Sequence, residues 1–168
     1  MKNIKNKLAS ILLAGVLLAG CKKEDGPLSD LKPAVPVTVT NAVAFRPEPT
    51  VTASKSAIVS PGVIGPITIT LSIPETSGRK IASITKVAAS TTYSAIQSTG
   101  ATGFYTVAPI AAGTTTATFT TNLTEYVAKT GQAITASNTE LTRRFYFLIT
   151  LDDNTIIIPE PVRVLVID

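Results

Sequence analysis

Few residues of this chain are of a kind that does chemistry, and their types narrow the choice. Cys21 is the only thiol, and histidine and tryptophan are absent. Zinc and copper sites draw on His and Cys, so neither metal is expected. Asp152, Asp153 and Asn154 could offer oxygen ligands to calcium, but with no further carboxylate nearby the same residues read as a tight hairpin turn. Arg143 and Arg144 read as the solvated opening of a strand, with a protease-processing site as the functional alternative. Tyr93, Tyr105, Tyr126 and Tyr146 are the polar aromatics. Packing accounts for Tyr126 and Tyr146 at their positions. Tyr93 and Tyr105 flank the longest irregular stretch, so they are the candidates for a glycan-binding loop.

Two short motifs point toward nucleophilic catalysis. Ser83-Ile-Thr-Lys86 spells S-x-x-K and Lys129-Thr-Gly131 spells K-T-G, which resemble signatures of penicillin-binding enzymes and class A β-lactamases. In that family the serine opens a helix of a much larger α/β protein. Here it falls in an expected strand, no S-D-N follows, and Lys86 and Lys129 are 43 positions apart. No catalytic residue is assigned, and a non-enzymatic chain is expected. A hydrolase, the remote alternative, would need carboxylates to converge in space.

Cys21 has a different chemistry written around it. Lys2, Lys5 and Lys7 form a basic start, and an apolar run of 13 residues from Leu8 to Gly20 is broken only by Ser10. That run is too short for a membrane helix, which needs about 20 apolar residues, and it has the layout of an export signal. Leu18-Ala-Gly-Cys21 resembles the lipobox of bacterial lipoproteins at all four positions. The resemblance implies cleavage between Gly20 and Cys21 by signal peptidase II, a diacylglycerol thioether on Cys21, and acylation (palmitate or similar) of the new amine. Two or more acyl chains make membrane attachment stable where one does not. Lys22-Lys-Glu-Asp25 resembles the charged export signal of Bacteroidetes lipoproteins on the outer face of the outer membrane, which implies an anchored, outward-facing protein.

Loss of Lys2, Lys5 and Lys7 with the signal leaves 12 of 15 basic residues against 11 acidic. No basic field remains for nucleic acid. The expected organisation is a signal peptide over 1–20, a lipidated cysteine and tether over 21–36, and one β-sandwich domain over 37–168. Gly26, Pro27, Pro33 and Pro36 mark the tether, which could extend roughly 50 Å.

The elements that must position these residues follow a period of two. Val35, Val37 and Val39 alternate with Pro36, Thr38 and Thr40, and Val51 and Ala53 alternate with Thr52 and Ser54. Ile67, Ile69, Leu71 and Ile73 alternate strictly with Thr68, Thr70 and Ser72. Glu75 to Arg79 reads as a hairpin connection. Residues 80–89 carry Ile81, Ile84 and Val87 at a spacing that also fits a helix, but the Ser and Thr between them favour a bulged strand. Residues 90–103 read as irregular. Phe104 to Val107 and Thr114 to Thr121 read as strands, and Asn122 with Glu125 and Gly131 bounds a short helix. Phe145, Phe147, Ile149 and Leu151 line one face of the strongest hairpin, which turns at Asp152 to Thr155. Pro159 and Pro161 should make the last strand kink or change partner.

About seven to nine short strands indicate an all-β sandwich. The run from Arg144 to Asn154 and that from Pro161 to Ile167 resemble the last two strands of immunoglobulin-like domains in Bacteroidetes surface lipoproteins, over roughly residues 65 to 168. The resemblance implies an immunoglobulin-like or fibronectin III-like fold, with loops offered to an outer-membrane protein or polysaccharide. No Cys, Trp, Cys core is present, so an antibody-type domain is not expected. The alternative is a structural adhesin or fimbria-like subunit that polymerises by donating a strand. No cofactor is expected.

Overall fold

Strict alternation does what it should in the strand Pro66–Ser72, where Ile67, Ile69 and Leu71 are fully buried while Thr68 faces solvent. The computed structural model describes residues 35–99, 104–106 and 108–168, within a compact unit spanning Ala34–Asp168. The expected signal peptide, Gly20, Cys21 and the tether up to residue 34 lie outside the described residues.

The described chain is mostly β, in several sheets. In order the strands are β1 (Thr38–Val39), β2 (Thr50–Ser54), β3 (Ile58–Ser60), β4 (Val63–Ile64), β5 (Pro66–Ser72), β6 (Ile81–Ser90), β7 (Ile110–Thr114), β8 (Thr116–Asn122), β9 (Arg144–Leu151), β10 (Ile156–Ile157) and β11 (Arg163–Ile167). Helix α1 (Ser94–Gln97) follows β6 and helix α2 (Leu123–Thr130) follows β8. One sheet runs β1-β5-β8 and another β10-β9-β6-β7. β11 lies parallel to β2, and β3 and β4 form a separate hairpin.

The two larger sheets face each other through aromatic rings. Phe119 of β8 meets Phe145 and Phe147 of β9 at centroid distances of 5.5 and 5.6 Å. Each such side chain removed from water contributes about 1.5–3 kcal/mol. The helix-like spacing of Ile81, Ile84 and Val87 is resolved by register shifts in β6 between Ile81 and Ser83 and between Ile84 and Lys86. Each bulge inserts a residue and resets the phase, so all three side chains reach the same core. Ala88 then points to the opposite face, where it packs under α1 with Ile96 and Tyr146.

Four expectations are corrected. Glu75 to Arg79 is no hairpin, since β5 and β6 belong to different sheets and a turn of 3-10 helix at Glu75–Ser77 joins them. The strand expected from Thr114 to Thr121 is present as β8 but begins at Thr116, because Thr114 ends β7 of the other sheet, next to Gly113 at φ +78°. Of the strand expected over Phe104 to Val107, the described residues 104–106 supply only a bridge from Thr106 to Val87. The irregular stretch holds α1, anchored by buried Ile96. At the other end, Pro159 and Pro161 stand where expected, between β10, which pairs antiparallel with β9, and β11, which joins β2.

Candidate functional site

An apolar groove of about 350 Å3 opens between Ile64, Leu123, Val127 and Ile134, with Lys55 and Ala136 at its rim. Its construction starts at Gly65. There the backbone takes φ +67°, and an added Cβ would stand 2.2 Å from Leu123 Cγ. Only glycine allows that conformation and that approach together. Gly65 N donates to Ala57 O, and Leu123 N donates to Gly65 O, each at 2.8 Å. The β3–β4 hairpin is thereby fastened to the start of α2. Asn122 caps this helix, its Oδ1 accepting from Glu125 N at 2.7 Å, and Gly131 closes it at φ +68°.

Helix α2 turns Leu123 and Tyr126 inward and leaves Val127 half-buried on the groove wall. Lys55 Nζ donates to Ala136 O at 2.7 Å and meets Asp168 at 3.5 Å, so the rim cation is already engaged. Ile64 stands opposite Ile58 across the hairpin. Ile58, Val59 and Ile64 are all exposed, and they continue the apolar surface outward. The groove offers an apolar wall and hydroxyl-bearing Thr124 and Thr135. It holds no nucleophile and base in contact, so its chemistry is that of accepting an apolar group.

Among the described residues, the expected site residues Tyr93 and Tyr105 are not brought together. Tyr93 is 45% exposed and packs edge-on against Tyr146 at 5.0 Å on the outer face of the β10-β9-β6-β7 sheet. Burial pushes its hydroxyl above the ordinary tyrosine range, with Tyr146 and the carboxylates of Glu160 and Glu48 adding to the effect. Tyr105 is 5% exposed and lies on the core side, against Phe119 and Phe145. It offers no open ring face, because Lys129 Nζ covers the ring at 4.5 Å. The segment carrying it folds back onto β6, where Tyr105 N donates to Val87 O at 2.7 Å.

Lys129 belongs to a closed circuit of hydrogen bonds. Tyr105 Oη is bonded to Thr121 Oγ1, which donates to Glu125 Oε2 at 2.8 Å. Lys129 Nζ pairs with Glu125 Oε1 at 2.7 Å and donates to Tyr105 O at 2.8 Å. Burial pushes the Glu125 carboxyl up, but the hydrogen bonds from Lys129 and Thr121 outweigh it and hold it below its ordinary range. Ser83 shares a hydrogen bond with Thr85, and Lys86 donates to Ser98 O and covers the Phe104 ring. No hydrogen bond or ion pair joins Ser83 or Lys86 to Lys129 among the described residues.

Asp152 and Asp153 both face Arg79, at 3.9 and 2.7 Å. Asp153 Oδ1 also accepts from Thr155 N, which is the first cause of its lowered pKa. Arg144 Nε donates to Glu48 Oε2 within the first residue of β9, and Arg143 N donates to Tyr126 Oη at 3.1 Å. The dibasic pair is thus built into the fold. Cys21 and Gly20 lie outside the described residues. The groove itself was missed in the sequence, although Ile58-Val59 and Val63-Ile64 around Ser60-Pro-Gly62 spell a hairpin with no polar alternation. Comparison with protein families, curated proteins and solved structures found no match to this chain.

Proposed function

We propose that the chain is a lipid-anchored, non-enzymatic surface lipoprotein of Bacteroidetes type whose immunoglobulin-like domain binds a protein partner. The strand order supports the fold part of this reading. On this reading β1-β5-β8 would be strands A, B and E of such a sandwich, and β10-β9-β6-β7 would be G, F, C and C′. The lipobox and the charged residues behind Cys21 support anchoring at the outer membrane, facing outward.

The observation that carries the binding role is the apolar lining of the groove by Ile64, Leu123, Val127 and Ile134, continued outward by exposed Ile58 and Val59. An apolar groove flanked by exposed Ile58 and Val59 suits an aliphatic or aromatic side chain of a protein. A polysaccharide would rely on Tyr93, the most exposed of the tyrosines. The fimbria-like alternative draws no support from Arg143 and Arg144, and a hydrolase draws none from the groove.

The test is crosslinking of tagged full-length protein on intact native cells with a membrane-impermeant reagent. A specific partner should be captured by the parent chain and lost with Val127→Glu, which puts a charge on the half-buried groove wall, with the melting temperature confirming an intact fold. Cys21→Ser should move the protein from the membrane to the soluble fraction. Unchanged capture by Val127→Glu would refute the groove, and unchanged membrane attachment of Cys21→Ser would refute the anchor.

A further inference from the structure

The two larger sheets have four outer edges, and three are blunted. β1 is two residues long, and beyond it the Asn41 side chain closes the β5 edge, its Nδ2 donating to Thr68 O at 2.7 Å and its Oδ1 accepting from Thr70 N at 2.9 Å. β10 is also two residues long and runs into Pro159 and Pro161. β7 pairs irregularly with β6 and carries Gly113 in the left-handed region. Short strands, prolines and bulges are how sheets resist pairing with other chains.

β8 has none of these protections. Its seven residues, Thr-Ala-Thr-Phe-Thr-Thr-Asn, hold no charge, proline or glycine, and it pairs with β5 over its whole length without a bulge. The phase of that pairing is fixed at both ends, since Ile73 N donates to Thr115 O and Leu123 N donates to Gly65 O. Odd-numbered residues of β8 therefore bond to β5, and Thr116, Thr118 and Thr120 turn their backbone groups away from it. Thr114 Oγ1 meets both the N–H and the C=O of Thr116. The N–H and C=O of Thr118 and of Thr120 have no partner among the described residues.

We infer that β8 is a homodimerisation edge, pairing antiparallel with β8 of a second copy in the register that sets Thr118 opposite Thr120. That register gives each of the four open backbone groups on one copy a mate on the other. It is symmetric about Phe119, as a two-fold interface requires. It also sets threonine against threonine on the outer face, a favourable cross-strand pair, and brings no like charges into contact. A second copy fits this edge without any residue of another kind, and the two three-stranded sheets become one continuous sheet of six.

The test uses two differently tagged full-length chains in detergent, one carrying Thr118→Cys and the other Thr120→Cys. Hydrogen-bonded antiparallel partners stand about 5.5 Å apart at Cα, within disulfide reach. Mild oxidation should give a mixed disulfide several-fold above either chain alone. It should also exceed both the parent chain, which reports any background from Cys21, and a Thr68→Cys with Thr70→Cys pair on β5. Thr118→Lys with Thr120→Lys, both at exposed positions, should raise the dimer Kd about 10-fold or more by light scattering, with the melting temperature confirming an intact fold. A monomeric parent chain, equal crosslinking in the β5 control, or a lysine variant that dimerises like the parent would each overturn the inference. Monomers that bind a foreign extended peptide at β8 would overturn it as well.

Discussion

Tyr105 shows how a residue acquires its role from its surroundings. Its hydroxyl is buried, which pushes its pKa up to about 12 against an ordinary 10.0, and the bond to Thr121 lowers it only in part. A tyrosine whose pKa is raised in the folded state contributes stability that is fully present below the unfolded value and is lost as pH rises through the folded one. Thermal unfolding followed against pH should therefore hold its midpoint up to about pH 10 and fall toward pH 12, with one phenolate appearing only in that upper range. Tyr105→Phe should cost about 1 kcal/mol at neutral pH and remove that part of the alkaline loss. The sequence marked Tyr105 as one of few large side chains near a Ser-, Thr- and Gly-rich stretch but could not show which way the ring turns. That depends on Lys129, Glu125 and Thr121 closing a circuit with a residue remote from them in sequence. Asn122 was legible because a cap is a local matter of three or four residues.

At the scale of elements, the groove depends on Gly65 more than on any residue that lines it. Gly65→Ala forces a Cβ into Leu123 and strains a backbone at φ +67°, and should cost roughly 2–4 kcal/mol. Gly62→Ala, in the same hairpin at φ +78° but with nothing within 4 Å, should cost only about 1–2 kcal/mol. Urea denaturation of the two variants checks the difference, which isolates the contact with Leu123. Simple alternation revealed β5 and β9 in the sequence because neither departs from a period of two. β6 was harder, since two bulges give its buried residues a spacing of three, and Ser and Thr between the apolar positions were the only clue. β7 escaped notice because Ile-Ala-Ala-Gly-Thr is barely apolar and is held by pairing with β6.

At the scale of the whole molecule, strand content was legible and strand order was not, because order is decided by contacts between distant parts of the chain. The parallel pairing of β2 with β11 is the extreme case, joining Thr50 to Arg163 and Ser54 to Ile167. Deleting residues 163–167 removes Val164 and Val166 and uncovers Val51 and Ala53, all buried in the same core. The two valines alone amount to about 3–6 kcal/mol, against a total stability of about 5–15 kcal/mol for a domain. Such a chain should lose its cooperative thermal transition, as read by circular dichroism. This closure also sets the tempo of folding. Pairing Thr50 with Arg163 closes a long loop before any contact repays its entropy. The side of the core shared by Val51 and Val164 should therefore consolidate late, after the local hairpins have formed.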